Sequence, residues 1–203
     1  TGVFFSQAQE KAAEVSSLPP KAKKKVDIPL PGQIVFDSNR SGNFGIYKMD
    51  ADGKNIEVVY DAADTADMFP SPNADGSLIV FAKAVSTDRD AYADIWLIKP
   101  DASDAKLLAK NGTSPSFSAD GKTVYFERRR RKIIAVDLDG TNERELFPGE
   151  PSSFGNYYVV KPRISPDGLQ AAFISDKNGR WHSWVADFRT KEAWLMGLSL
   201  IHI

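Results

Sequence analysis

The sequence predicts an all-β protein, a β-propeller built of four-stranded antiparallel blades, with about four blades present. Three observations predict it. The apolar runs ending at Phe36, Phe81, Phe126 and Phe173 step by 45, 45 and 47 residues, the period of one blade. Asp-Gly pairs recur at fixed offsets between short runs rich in Val, Ile, Phe, Tyr and Trp, which reads as strands joined by tight hairpins. Finally, Ile46 to Met49, Ile95 to Ile98 and Ile133 to Val136 carry apolar side chains on both alternating faces. A strand has that pattern where both faces are covered, as blades cover one another in a propeller.

In chain order, residues 1–32 read as a signal-peptide remnant and a flexible linker. Val3-Phe4-Phe5 followed by Ser6-Gln7-Ala8 matches the end of a secretory leader with a small-x-small cleavage site, and Pro19, Pro20, Pro29, Pro31 and Lys23 to Lys25 suit an extended tether. Residues 33–196 hold the blades. The first begins at Gln33 with no Asp-Gly hairpin before it, so its innermost strand is missing. The second runs from Pro70 through Asp75-Gly76, Leu78 to Ala82, Asp94 to Ile98 and Ala105 to Leu108. The third runs from Pro115 through Asp120-Gly121, Thr123 to Glu127, Lys132 to Val136, Asp139-Gly140 and Arg144 to Phe147. The fourth spans Pro162 through Asp167-Gly168 to Trp194, and residues 197–203 form a tail that matches no part of the repeat. The blades read as part of a longer, six-bladed propeller; a closed four-bladed ring, with the tail supplying the absent inner strand, is the alternative.

Ser165-Pro166-Asp167-Gly168, and the string Ile34-Val-Phe-Asp-Ser-Asn-Arg-Ser-Gly-Asn-Phe-Gly-Ile-Tyr-Lys-Met-Asp-Ala-Asp-Gly53, closely resemble the repeat of TolB-type propellers. The match is strong in the first and fourth copies. It is weaker in the second and third, where Ala74 and Ala119 replace the Pro before Asp-Gly. The resemblance implies an exported, periplasmic protein that acts as a non-catalytic binding platform for a protein partner in the cell envelope. TolB itself links the Tol system to a peptidoglycan-associated lipoprotein. It also has a separate N-terminal α/β domain that this sequence does not display, so its partner does not transfer. The rival class is the substrate-gating propeller of serine peptidases related to dipeptidyl peptidase IV, which places a hydrolase domain after the last blade.

Composition narrows the chemistry. With 42% hydrophobic residues and a net charge of -1, the 203-residue chain has material for a core and no basic surplus of the kind nucleic-acid binders carry. No apolar stretch reaches the roughly 20 residues of a membrane span, and the lysines of the linker offer at most a peripheral tether. Cysteine is absent and histidine occurs only at His182 and His202, so thiol nucleophiles and Cys/His zinc sites are excluded and no cofactor is expected. Oligogalacturonate lyases share this propeller type but are built around a histidine-bound metal, which two isolated histidines do not supply. Asp50-x-Asp52-Gly53 and Asp137-x-Asp139-Gly140 lack the downstream acids of a calcium loop and read as turns. Gly197-Leu-Ser-Leu-Ile201 lacks the second glycine of a nucleophile elbow.

Alternation of strand direction puts the Asp-Gly turns on one face and the longer, variable connections on the other, where binding residues concentrate. The candidate partner-binding residues lie there. Arg128, Arg129, Arg130 and Arg131 form a cationic hairpin tip, read either as a solvated turn or as a carboxylate-binding patch. Arg40 and Arg89, on equivalent loops of neighbouring blades, extend it into a basic crescent for acidic partners. Tyr157 and Tyr158, near Phe154, serve as contact anchors if exposed and pin their loop if buried. Glycan binding through aromatic rings is disfavoured on the expectation that the four tryptophans all sit on strands.

Overall fold

The computed structural model describes residues 32–85, 93–150 and 152–196, so the linker up to Pro31, Arg89 and the tail 197–203 lie outside the described residues. The described residues form fifteen strands and no helix. The first sheet contains β1 (Gln33–Ser38), β2 (Gly45–Asp50) and β3 (Glu57–Tyr60). The second contains β4 (Ala66–Pro72), β5 (Ile79–Ala84), β6 (Ala93–Ile98) and β7 (Lys106–Ala109). The third contains β8 (Thr113–Phe117), β9 (Thr123–Arg128), β10 (Lys132–Asp137) and β11 (Arg144–Phe147). The fourth contains β12 (Val160–Ile164), β13 (Gln170–Ser175), β14 (His182–Asp187) and β15 (Ala193–Leu195). Each is an antiparallel meander, and the first has three strands, as the absent hairpin before Gln33 predicts.

The turn chemistry explains the meanders. Gly76 and Gly121 sit at φ 72° and 71°, where a Cβ is strained, and the aspartate before each caps the turn. Asp75 Oδ1 accepts the Ser77 N–H at 2.9 Å and Asp120 Oδ1 the Lys122 N–H at 3.1 Å. The same capping operates in the two calcium-like segments, where Asp52 accepts from Lys54 N–H and Asp139 from Thr141 N–H.

The core lies between sheets. Ile79 and Phe81 of β5 pack with Ile46 and Val59 of the first sheet, while the alternate residues Val80 and Ala82 pack with Val124, Phe126 and Ile134 of the third. The next interface repeats this, with Ile133 and Phe147 against Phe173, Trp184 and Ala186. The innermost strand of each sheet carries the contact: β4 packs on β1 and β2, β8 on β4, β5 and β6, and β12 on β8 and β9. Among the described residues no strand packing of this extent returns from the fourth sheet to the first, so the sheets follow one another as an arc.

Backbone ties set the blade spacing. Asp67 N–H donates to Phe44 O, Gly112 N–H to Ala93 O and Val159 N–H to Arg130 O, each at 2.8 Å. Just beyond each tie the inner strand bulges at a residue preceding a proline, Phe69, Ser114 and Lys161, all with φ between 51° and 56°. Two of these bulges are latched by the preceding blade: Asp37 Oδ1 accepts from Phe69 N–H at 3.1 Å and Glu127 Oε2 from Lys161 N–H at 2.7 Å. Ala82 stands at the corresponding position between them, with no side chain able to accept. The bulges also explain why β4, β8 and β12 begin upstream of the Pro signals that mark them in the sequence: strand pairing resumes on the far side of each irregularity.

Two outcomes follow from these interfaces. A Cβ on Gly112 lies 2.5 Å from Phe126 Cδ2 and 2.8 Å from Ile95 Cγ1, both core side chains. Gly112→Ala is therefore expected to cost about 1–3 kcal/mol, read by calorimetry as a fall in Tm of about 3–10 °C. Asp67 is fully buried where the equivalent tie residues are Gly112 and Val159, and burial pushes its carboxyl from 3.8 up to about 6, against the lowering effects of the Ala62 N–H, Lys83 and Thr65. Because its folded value is the higher one, the folded chain holds this proton longer, and its contribution falls as pH rises from about 4 to 6. Asp67→Asn should melt like wild type near pH 3.5 and higher than wild type at pH 7, by at most about 3 kcal/mol. Equal shifts at both pH values would contradict the assignment.

Candidate functional site

The connections opposite the Asp-Gly turns are 39–44, 61–65, 85–92, 110–112, 129–131, 148–159 and 176–181. At the loop end of the four sheets the central hairpins pair Phe36 with Tyr47, Phe81 with Trp96, Phe126 with Ile134 and Phe173 with Trp184. A cation lies over at least one ring of each pair. The Arg40 guanidinium lies 5.1 Å from the Phe36 ring and 4.8 Å from Tyr47, and Lys83 Nζ lies 4.9 Å from Trp96. Arg128 lies 5.2 Å from Phe126, and Lys177 Nζ 3.9 Å from Phe154 and 5.7 Å from Trp184. Partial desolvation over these rings lowers the Lys177 pKa. Such contacts contribute about 0.5–2 kcal/mol each and turn four cations at the loop end of the sheets, Lys83 and Arg128 on strands and Arg40 and Lys177 on loops, into packing groups.

The arginine run divides accordingly. Arg128 is held by Glu143 through two parallel hydrogen bonds, Nη2 to Oε2 at 2.8 Å, and by the Lys110 carbonyl at 2.9 Å. That pairing draws the Glu143 carboxyl below its ordinary range. Lys132 pairs with Glu145 at 2.7 Å. Arg129 is exposed at the tip, and with Arg130 it adopts a left-handed backbone at φ 52° and 56°. Arg130 and Arg131 stack on a residue of the following connection: their guanidinium carbons lie 5.4 Å and 5.1 Å from the Tyr158 ring. Arg130 Nε and Arg131 Nη1 are shielded from solvent with no acceptor. Glu127, beneath them, is buried, and that burial raises its pKa against the Lys161 N–H, Thr113 and Arg130.

The aromatic loop divides as well. Phe154 is buried among Phe147, Phe173 and Trp184 and pins the connection. Tyr157 is 37% exposed, edge-on to Phe154, and Tyr158 is half-buried, its N–H donating to Asp176 Oδ1 at 3.0 Å. The structure thus brings Arg130 and Arg131 together with Tyr158, leaves Arg129 and Tyr157 open beside them, and sets Arg40 apart on the first sheet. Arg89 falls outside the described residues. The expectation for tryptophan needs correction: Trp181 precedes β14 instead of lying on it, is 49% exposed, and stacks on Tyr158 at 5.4 Å and 29°. It sits one residue outside the strand, where the apolar pattern of the sequence gives no sign of the boundary. His182, the first residue of β14, is exposed.

Comparison with known proteins bears on the repeat and the fold. No protein-family model matches the chain. The Protein TolB homolog of Chlorobium chlorochromatii is 30% identical over 148 residues, which cover 70% of this chain and 31% of the relative. The Tol-Pal system protein TolB 1 of Novosphingobium aromaticivorans is 32% identical over 131 residues, covering 57% and 27%. This chain therefore spans about a third of the length of the curated relatives it matches. The crystal structure of TolB from Acinetobacter baumannii superposes with a TM-score of 0.65 at 20% identity, covering 97% of this chain and 46% of that one. In its blade repeat, its relatives and its fold, the chain is a TolB-like β-propeller.

Proposed function

We propose that the chain is a non-catalytic protein-binding platform of the bacterial cell envelope, working in the periplasm, with its partner seated on the loop face. The observation that carries this reading is the convergence of Arg129, Arg130, Arg131, Tyr157 and Tyr158 on connections anchored by a rigid blade interface. Arginine and tyrosine are the side chains that most often dominate protein interfaces, and Phe154 and Asp176 hold these connections in place before any partner arrives. The relatives' names, one of them a Tol-Pal system protein, support an envelope setting.

Arg128 contributes to this surface through the order it imposes on it, being committed to the Phe126 ring and Glu143, while Arg40 caps its own rings apart on the first sheet. The test is therefore charge reversal of Arg129, Arg130 and Arg131 together, with recovery of proteins from a periplasmic and outer-membrane extract as the readout. Wild type should retain an envelope protein, and the triple variant should retain about ten-fold less at a Tm within a few degrees of wild type. Retention of no envelope protein by wild type, or equal retention by a folded variant, would overturn the reading.

A further inference from the structure

Trp181, Tyr158, Arg130 and Arg131 form one stack assembled from three loops on two neighbouring sheets. Trp181 comes from the β13–β14 connection, Tyr158 from the β11–β12 connection and the guanidinium pair from the β9–β10 tip. Three features set it apart from the caps on the other hairpins. Its aromatic pair lies outside the cross-strand register, so it contributes nothing to sheet pairing. It uses two guanidinium groups on one ring, whereas Arg40 and Lys177 each cap a pair of rings. Among the described residues neither Arg130 nor Arg131 has a carboxylate within ion-pair distance, although Arg128 and Lys132 on either side are both paired. Two acids of the adjoining elements are already engaged by backbone, Asp176 by Tyr158 N–H and Glu127 by Lys161 N–H.

We infer that this stack is a recognition site for an acidic peptide segment, with Trp181 as its apolar contact and Arg130 and Arg131, joined by Arg129, as its carboxylate receivers. The inference rests on the platform reading above and gives it an anchor and a partner chemistry. Planar guanidinium groups pair with carboxylates in two-point fashion, and the contact with the Tyr158 ring holds both groups in place in advance, so less side-chain freedom remains to be lost on binding. With Trp181 already stacked on Tyr158, its open half offers one ring-sized contact, which suits a proline or aliphatic side chain between two acids. Neighbouring Arg180 and Lys161 are also exposed, so the surroundings favour negative charge.

The probe is a fluorescein-labelled peptide of five Glu-Pro repeats, followed by anisotropy against the full chain, with Ser-Pro and Lys-Pro repeats and chitotriose as comparisons. The Glu-Pro peptide should bind at least about ten-fold more tightly than the Ser-Pro peptide, and the Lys-Pro peptide should not bind. Trp181→Ala and the double variant Arg130→Gln with Arg131→Gln should each weaken Glu-Pro binding about ten-fold or more, Trp181→Tyr should restore most of it, and Tm should stay within a few degrees of wild type. Equal affinity for Glu-Pro and Ser-Pro peptides, wild-type affinity in the folded variants, or chitotriose binding that alone depends on Trp181 would overturn the inference. The two readings separate cleanly. Envelope proteins retained without Glu-Pro binding remove this anchor and leave the platform; Glu-Pro binding with no envelope protein retained does the reverse.

Discussion

Everything in this structure depends on covering both faces of strands that are apolar on both sides. Val80 and Ala82 face one neighbour, Ile79 and Phe81 the other, and no single sheet can hide both sets. The stable solution is serial: each sheet is finished by the next, through its innermost strand. That requirement explains why β4, β8 and β12 carry so many exceptional features. They hold the positive-φ bulges, and at their entrances lie the tight fit of Gly112 against Phe126 and Ile95 and the hydrogen bonds that cross from blade to blade.

Polar groups inside those interfaces fix position at some cost in stability. Glu127 is buried and raised in pKa, so keeping it there is unfavourable unless its oxygens are occupied; Lys161 N–H occupies one. At the first interface Asp37 accepts from Phe69 N–H, and the middle interface, with Ala82, instead brings Gly112 directly against Phe126. Two different physical devices thus hold equivalent blades at equivalent spacing. Close apolar contact serves where the side chain is small, and a directed hydrogen bond serves where the bulge needs an acceptor.

The fold was legible because its signals are periodic. The Phe36, Phe81, Phe126 and Phe173 steps locate one strand in each sheet, every fourth in the chain, and the missing hairpin before Gln33 matches the three strands that the described residues give the first sheet. The inner strands were legible only in part, since proline marks the bulge and the strand starts several residues earlier, at Ala66 in the second sheet. The candidate surface was legible in composition and not in partnership. A run of arginines reads as free charge until the register shows Phe126 beneath Arg128 and Glu143 beside it. Tyr158 lies on a connection between two sheets, and a stack that joins it to Arg130 and Trp181 is a tertiary fact with no local pattern.

The repeat also explains where its own exception falls. In three sheets the loop end of the central hairpin pairs two aromatic residues, and a single cation lies over one or both of them. In the third sheet Phe126 faces Ile134, one ring is missing, and only Arg128 finds an aromatic partner within its own hairpin. The remaining guanidinium groups of that tip must either stay in water or reach beyond the sheet. Arg130 and Arg131 reach to Tyr158, where a cation–π contact of about 0.5–1 kcal/mol orders them without neutralising them. A break in the structural pattern therefore yields ordered, unpaired charge at a blade junction, which is the state an interface needs before its partner arrives.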